Sequence, residues 1–179
     1  PGRANAGFIR ECVAAIPAPV RATKNLWVRI DSAGYQHDVF AACDALGAAF
    51  SITALQQPNI RAAVMALAAN NDPVWADALG AAADHGAQIA ETTIDVHPHG
   101  SRKTRRLRLI VRRQRTSTGD QMSFDDLHGW RFHTIVTNLP EAYAGPKTLY
   151  EKHYCARGDM ENRIKEQQLN LFAERFPER

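Results

Sequence analysis

The chain has 179 residues, 45% apolar and 23% charged, with a formal net charge of +3; this is one domain of ordinary globular composition, which excludes a disordered chain. No run approaches the roughly 20 apolar residues of a membrane-spanning helix, and Cys12, Cys43 and Cys155 form no C-x-x-C pair, so neither a disulfide framework nor a cysteine-built zinc site is indicated. With no charged-then-apolar leader and no Met at its start, the chain is expected to be a cytoplasmic protein whose own beginning is missing.

In chain order, Phe8, Ile9, Cys12, Val13 and Ile16 recur at helical spacing until Pro17 and Pro19, predicting an amphipathic helix over 4–15. Leu26 to Ile30 has strand composition and Asp31-Ser32-Ala33-Gly34 is turn chemistry, so Asp31 is expected at the C-terminal end of a buried strand. Val39, Phe40, Cys43 and Leu46 mark a helix stopped by Gly47, and Phe50 with Ile52 marks a strand over 49–55. Helix, strand, helix, strand implies parallel α/β packing. Pro58 opens another helix, with Ile60, Val64 and Leu67 on one face and a stop at 70–73.

Beyond that helix the period changes. Residues 89–97 alternate loosely, His97-Pro98-His99-Gly100-Ser101 reads as a turn, and Leu107, Leu109 and Val111 alternate with Arg106, Arg108 and Ile110. These predict antiparallel strands with one basic face. Thr116 to Asp120 is a polar loop, Trp130 to Leu139 a further strand, and Lys147 to Phe172 a long helix that tolerates Gly158. Eight of the 22 basic residues (Arg102, Lys103, Arg105, Arg106, Arg108, Arg112, Arg113, Arg115) stand in one stretch without an acid. Either a solvated strand pair or a surface for a polyanion follows.

On the last helix Tyr150, Tyr154, Arg157, Glu161, Ile164 and Gln168 fall at spacings of three and four, so they share a face. By composition alone this is an exposed face with Arg157 and Glu161 paired. The segment Tyr154-Cys155-Ala156-Arg157-Gly158-Asp159-Met160-Glu161-Asn162-Arg163-Ile164-Lys165-Glu166, however, resembles the Y-x2-R-x3-E-x6-K signature of DDE transposases of bacterial insertion sequences, in the form of the thirteen-eighty family. Val28 to Tyr35 is similar to that family's R-x-D-S-G-F/Y segment, and Ile135 to Leu139 to the strand before its catalytic helix.

The resemblance implies an α/β fold: a partial ribonuclease-H-like core, its opening strands missing, with a β-rich insertion before the catalytic helix. The implied division is 1–57 for the first part of the core, 58–129 for the insertion (a helix, then antiparallel strands) and 130–179 for the last strand and catalytic helix. It makes Asp31 and Glu161 two of three metal-binding catalytic carboxylates, with Mg²⁺ or Mn²⁺ as the cofactor. DNA, as transposon ends and target, is the implied partner, contacted by Tyr154, Arg157, Lys165, Gln168, Arg102, Arg105, Arg106, Arg108, Arg112 and Trp130. Gln168 stands where the signature has Lys, which replaces an ammonium with a neutral amide. Nucleoid association and a homodimer go with the family, and no membrane partner is expected. Asp38 and Asp44 fall on the helix after the Asp31 strand and are not expected to supply the missing first Asp.

Trp130 is expected either to stack on an extruded base or to fill the core; Trp27 and Trp75 read as core. His97 and His99 suit a hairpin turn better than a metal site. The competing functional reading is a non-catalytic DNA-binding remnant of a transposase. Nucleotide hydrolysis, dinucleotide chemistry and zinc proteolysis lack their motifs.

Overall fold

The computed structural model describes residues 2–69, 74–79, 86–97, 104–116, 126–127 and 129–155. Helix α1 (Gly2–Ala15) is followed by a short α2 (Ala18–Thr23), which starts after Pro17 because a proline near the first helical position gives up only an N–H that would be orphaned anyway. Then come β1 (Trp27–Ile30), a 3₁₀ turn (Ser32–Gly34), α3 (His37–Ala45), β2 (Ala49–Thr53) and α4 (Pro58–Ala69). Gly47, at φ 61°, makes the left-handed step from α3 into β2. Strands β3 (Ala76–Asp77), β4 (Gln88–Val96), β5 (Arg105–Arg115), β6 (Asp126–Leu127) and β7 (Trp130–Thr137) lead to a π-helical segment, Thr148–Tyr154.

One mixed seven-stranded sheet runs β1-β2-β7-β5-β4-β3, with β6 on β7. Among the described residues only β1 and β2 pair in parallel, and every other ladder is antiparallel. The strands of residues 58–129 thus continue the same sheet as β1 and β2. The expected hairpin flanks residues 97–104 with Val96 opposite Arg105; residues 98–103, and with them His99 and Arg102, lie outside the described residues, as does 117–120 of the polar loop.

Because side chains alternate along a strand, the sheet has two buried faces. The first, under α1, α3 and α4, joins Phe50, Ile52, Leu107, Leu109, Val111 and Val136 to Val39, Phe40, Ile60 and Val64. The second, under the π segment, joins Ile89, Ile110 and Ile135 to Leu149, Tyr150 and Tyr154. Central residues such as Leu109, Ile110, Ile135 and Val136 are fully enclosed. Two expectations are corrected here. Strand β1 is half-buried at all four positions, because among the described residues it pairs only with β2 and forms the sheet's edge. In α1 only Ile9 and Val13 of the predicted stripe are buried; Phe8 is 67% exposed.

Candidate active site

Asp31 lies at the C-terminal tip of β1, exposed, with its Oδ1 accepting the Ala33 N–H at 3.0 Å. That bond caps the 3₁₀ turn, and two amides brace it, Asn5 Nδ2 donating to Ala33 O at 3.0 Å and Gln36 Nε2 to the same oxygen at 2.7 Å. Gly34 permits the fold-back: a Cβ there would sit 2.6 Å from Ile30 Cγ2 and 2.7 Å from Ile30 Cβ, closer than side chains approach. Among the described residues Asp31 makes no ion pair, and no group of three His, Cys, Asp or Glu side chains is gathered that could hold a metal. Glu161, Arg157, Lys165 and Gln168 lie outside the described residues. Asp38 and Asp44 stand on α3, as expected.

The π segment clamps the other face of β1. Arg29 Nη1 donates to His153 O at 2.6 Å, and the Trp27 and His153 rings lie 4.4 Å apart. Burial, with Arg29 and Lys152 adding like charge, holds the His153 imidazole below its ordinary pKa. The Tyr150 hydroxyl meets His133 Nδ1 at 2.6 Å, and burial pushes its pKa upward. Tyr154, expected at a phosphate, is a buried residue whose hydroxyl is bonded to Thr53 Oγ1. In the described structure it anchors the segment to β2.

The arginines of β5 divide between two faces instead of forming the one basic face expected. They occur at both odd and even positions, so alternation splits them. Arg105 lies over the Phe40 ring and is ion-paired with Asp44 on the helix-covered face. On the opposite face Arg106 meets Asp95 at 3.0 Å. Arg108 grips both Glu91 oxygens, at 3.1 and 2.6 Å, and donates to Leu139 O and Ala144 O. Arg112 bonds Gln114 at 2.7 Å. Arg113 bonds Gln88 and is sandwiched between indoles, 3.9 Å from the Trp75 ring and 4.5 Å from Trp130, with Arg115 at 4.3 Å on Trp130. Trp130 and Trp75 are both partly buried against the core. Sequence reasoning does not single out Arg113, Arg115 or Trp75 for the site; register would have found the first two, since Arg115 faces Trp130 across β5 and β7.

The ladders also fix direction. β5 runs the same way as β1, because two antiparallel steps, β2 to β7 and β7 to β5, restore the sense. Ile30 is level with Ile52, Val136 and Leu109, three strand spacings or roughly 14 Å across. The C-terminal end of β5, where no described arginine has a carboxylate, therefore leaves the sheet on the same side as Asp31.

A family model for the transposase DDE domain, group 1, matches residues 1–179. The chain belongs to that family. No curated protein and no solved structure matches it. DDE transposases are DNA-cutting, DNA-binding enzymes that generally use divalent metals, and a mixed α/β sheet bearing a carboxylate at a strand tip is compatible with that class. Among the described residues of this transposase domain no helix is long and apolar enough to cross a membrane.

Proposed function

We propose that the chain is the later part of the catalytic core of a Y-R-E-K transposase of the thirteen-eighty kind, with a ribonuclease-H-like arrangement around β1 and β2, cutting transposon ends and joining them to target DNA. The observation that carries this reading is the sidedness of the sheet: Asp31, which makes no ion pair among the described residues, shares its side with the end of β5 whose arginines have no described carboxylate partner. Asp31 and Glu161 would hold Mg²⁺ or Mn²⁺. An exposed carboxylate already oriented by the Ala33 N–H fits that role, since one oxygen lone pair is spent on orientation and the group is not neutralised. When bound, paired divalent metals stabilise the attacking and leaving oxygens of a phosphodiester displacement.

The chain's own residues do the rest. Arg112 and Arg115 offer guanidinium groups to backbone phosphates, and Arg113, held between the Trp75 and Trp130 rings, fixes Trp130 beside them for contact with DNA. Glu161 and Arg157, following the π segment, supply the second carboxylate and a further phosphate contact. A homodimer and nucleoid association belong to the same reading.

The test is metal-dependent nicking of a transposon-end duplex by the protein translated from the whole reading frame that contains this chain. Asp31→Asn and Glu161→Gln are each expected to abolish nicking while duplex binding persists; nicking that survives both would overturn the assignment. The 179-residue chain alone is expected to bind duplex without nicking it. If the whole protein binds but never nicks, the non-catalytic remnant is the correct reading.

A further inference from the structure

A second cleft lies between the N-termini of α3 and α4 and the end of β4, about 400 Å³ in volume, and Asp31 does not line it. Gln36 and His37 bring it to the start of α3, Gln57 and Asn59 to the start of α4. Both helices are long enough to carry a dipole, nine and twelve residues, so two partial positive charges of about half a unit each converge on one space. The N-cap of α3, Gln36, makes no side-chain capping bond, which leaves first-turn N–H groups without that partner.

The independent observation is Tyr35. It lines the cleft, is 7% exposed, and packs edge-on against Phe40. Among the described residues its hydroxyl has no hydrogen-bond partner. A buried hydroxyl left unpaired is destabilising and needs an explanation. Burial raises its pKa, so the phenol stays protonated and available as a donor. Uncapped helix N–H groups, side-chain amides and an orphan phenol are a donor set for an oxyanion. Among the described residues Asp95 is the one carboxylate on the rim, and Arg106 balances it through two bonds at 3.0 and 3.3 Å; Asp38 in the first turn of α3 is exposed and does not line the cleft.

We propose that this cleft binds a phosphate group, with the Tyr35 hydroxyl and the N-termini of α3 and α4 as its donors. The phosphate chemistry stands on the cleft alone; its assignment to a backbone phosphate of bound DNA rests on the function proposed above. The cleft is larger than a lone phosphate, leaving room for the sugar or chain that carries it.

Inorganic phosphate and a short duplex are the two probes. Phosphate is expected to raise the melting temperature of the chain saturably. Tyr35→Phe removes only the orphan hydroxyl; in phosphate-free buffer it is expected to melt no lower than the parent, while phosphate affinity falls about tenfold. Gln57→Glu, which sets a carboxylate at the start of α4, is expected to abolish the phosphate response. Absence of a saturable response in the parent overturns the proposal. So does a Tyr35→Phe chain that melts lower yet responds to phosphate as the parent does, since the hydroxyl would then be structural. In the duplex arm, weaker duplex binding by both variants assigns the occupant to DNA backbone. Unchanged duplex binding with a lost phosphate response assigns it to a free phosphate-bearing ligand. Failure of the parent to bind duplex at all would count against the transposase reading and not against the cleft.

Discussion

Arg105, Arg106 and Arg108 at the N-terminal end of β5 face Asp44, Asp95 and Glu91, whereas Arg112, Arg113 and Arg115 at its C-terminal end face glutamines and indole rings. In sequence the two groups look alike, a single acid-free basic stretch. The acids that distinguish them arrive from α3 and β4. Charge counted along a chain is therefore not charge presented to a ligand: the first group is neutralised by carboxylates, with Arg108 tying elements of the fold together, and the second, with no described carboxylate partner, stands on the side of the sheet that carries Asp31.

The sharpest way to break this contrast is at Arg108. Its side chain is 11% exposed and ties Glu91 to two carbonyls of the β7–π connection. Arg108→Ala strands a partly buried carboxylate and both carbonyls, and is expected to destabilise by about 3 kcal/mol, seen as a lower denaturant midpoint at unchanged slope. Arg108→Lys cannot reproduce the fork and is expected to recover only part of that. If Arg108→Ala instead weakens DNA binding without loss of stability, the division of β5 into structural and binding ends is wrong.

Next in size is the other end. Replacing Arg112, Arg113 and Arg115 together by Ala is expected to weaken duplex binding about 10- to 100-fold at moderate salt and to reduce the salt slope by about 2 to 3 units, near 0.9 for each phosphate no longer neutralised. The pair Arg105→Ala and Arg106→Ala, two charges removed at the compensated end, is expected to leave the slope nearly unchanged. Equal losses at both ends would mean that the carboxylates do not screen their arginines.

Smallest is the exposed pair of Arg106 and Asp95. Its side chains are 72% and 42% exposed, so Arg106→Ala is expected to lower the melting temperature near neutral pH only slightly. The hydrogen bond from Arg106, followed by its charge, holds the Asp95 carboxyl below the usual carboxylate range. A carboxyl depressed in the folded state contributes stability above its unfolded pKa and loses it as pH falls through the folded one. Arg106→Ala is therefore expected to flatten the acid limb of the stability profile below roughly pH 4, and an unaltered limb would show that the pair has no thermodynamic effect.

How much of this was legible in the sequence varies by element. Helix α4 was readable because Pro58 starts it and Ile60, Val64 and Leu67 repeat at its period, and those three are the buried ones. β4, β5 and β7 were readable from alternation. The edge character of β1 followed from the resemblance, whose opening strand, the expected neighbour of β1, is missing; it was not readable from its own four residues, since such an apolar run looks the same in the middle of a sheet as at its border. Nor was the burial of Tyr154: helical spacing puts it on a face with Tyr150, but which way the face turns depends on Thr53 and His133, distant in sequence. The place of Asp31 at the tip of β1 was legible because Asp31-Ser32-Ala33-Gly34 is turn chemistry, and Gly34 is needed there against Ile30; its role as a metal ligand is a proposal. Its partner Glu161 is a proposal that rests on the signature around it.

The tie from Arg29 to the His153 carbonyl has a mechanical side. Among the described residues strand β1 is pinned by main-chain bonds along one border, to β2, and its tip is Asp31. The Arg29 guanidinium fastens it to the π segment 124 residues away in the chain. That bond is a second point of attachment, on the face opposite the helices, for the strand whose tip is Asp31.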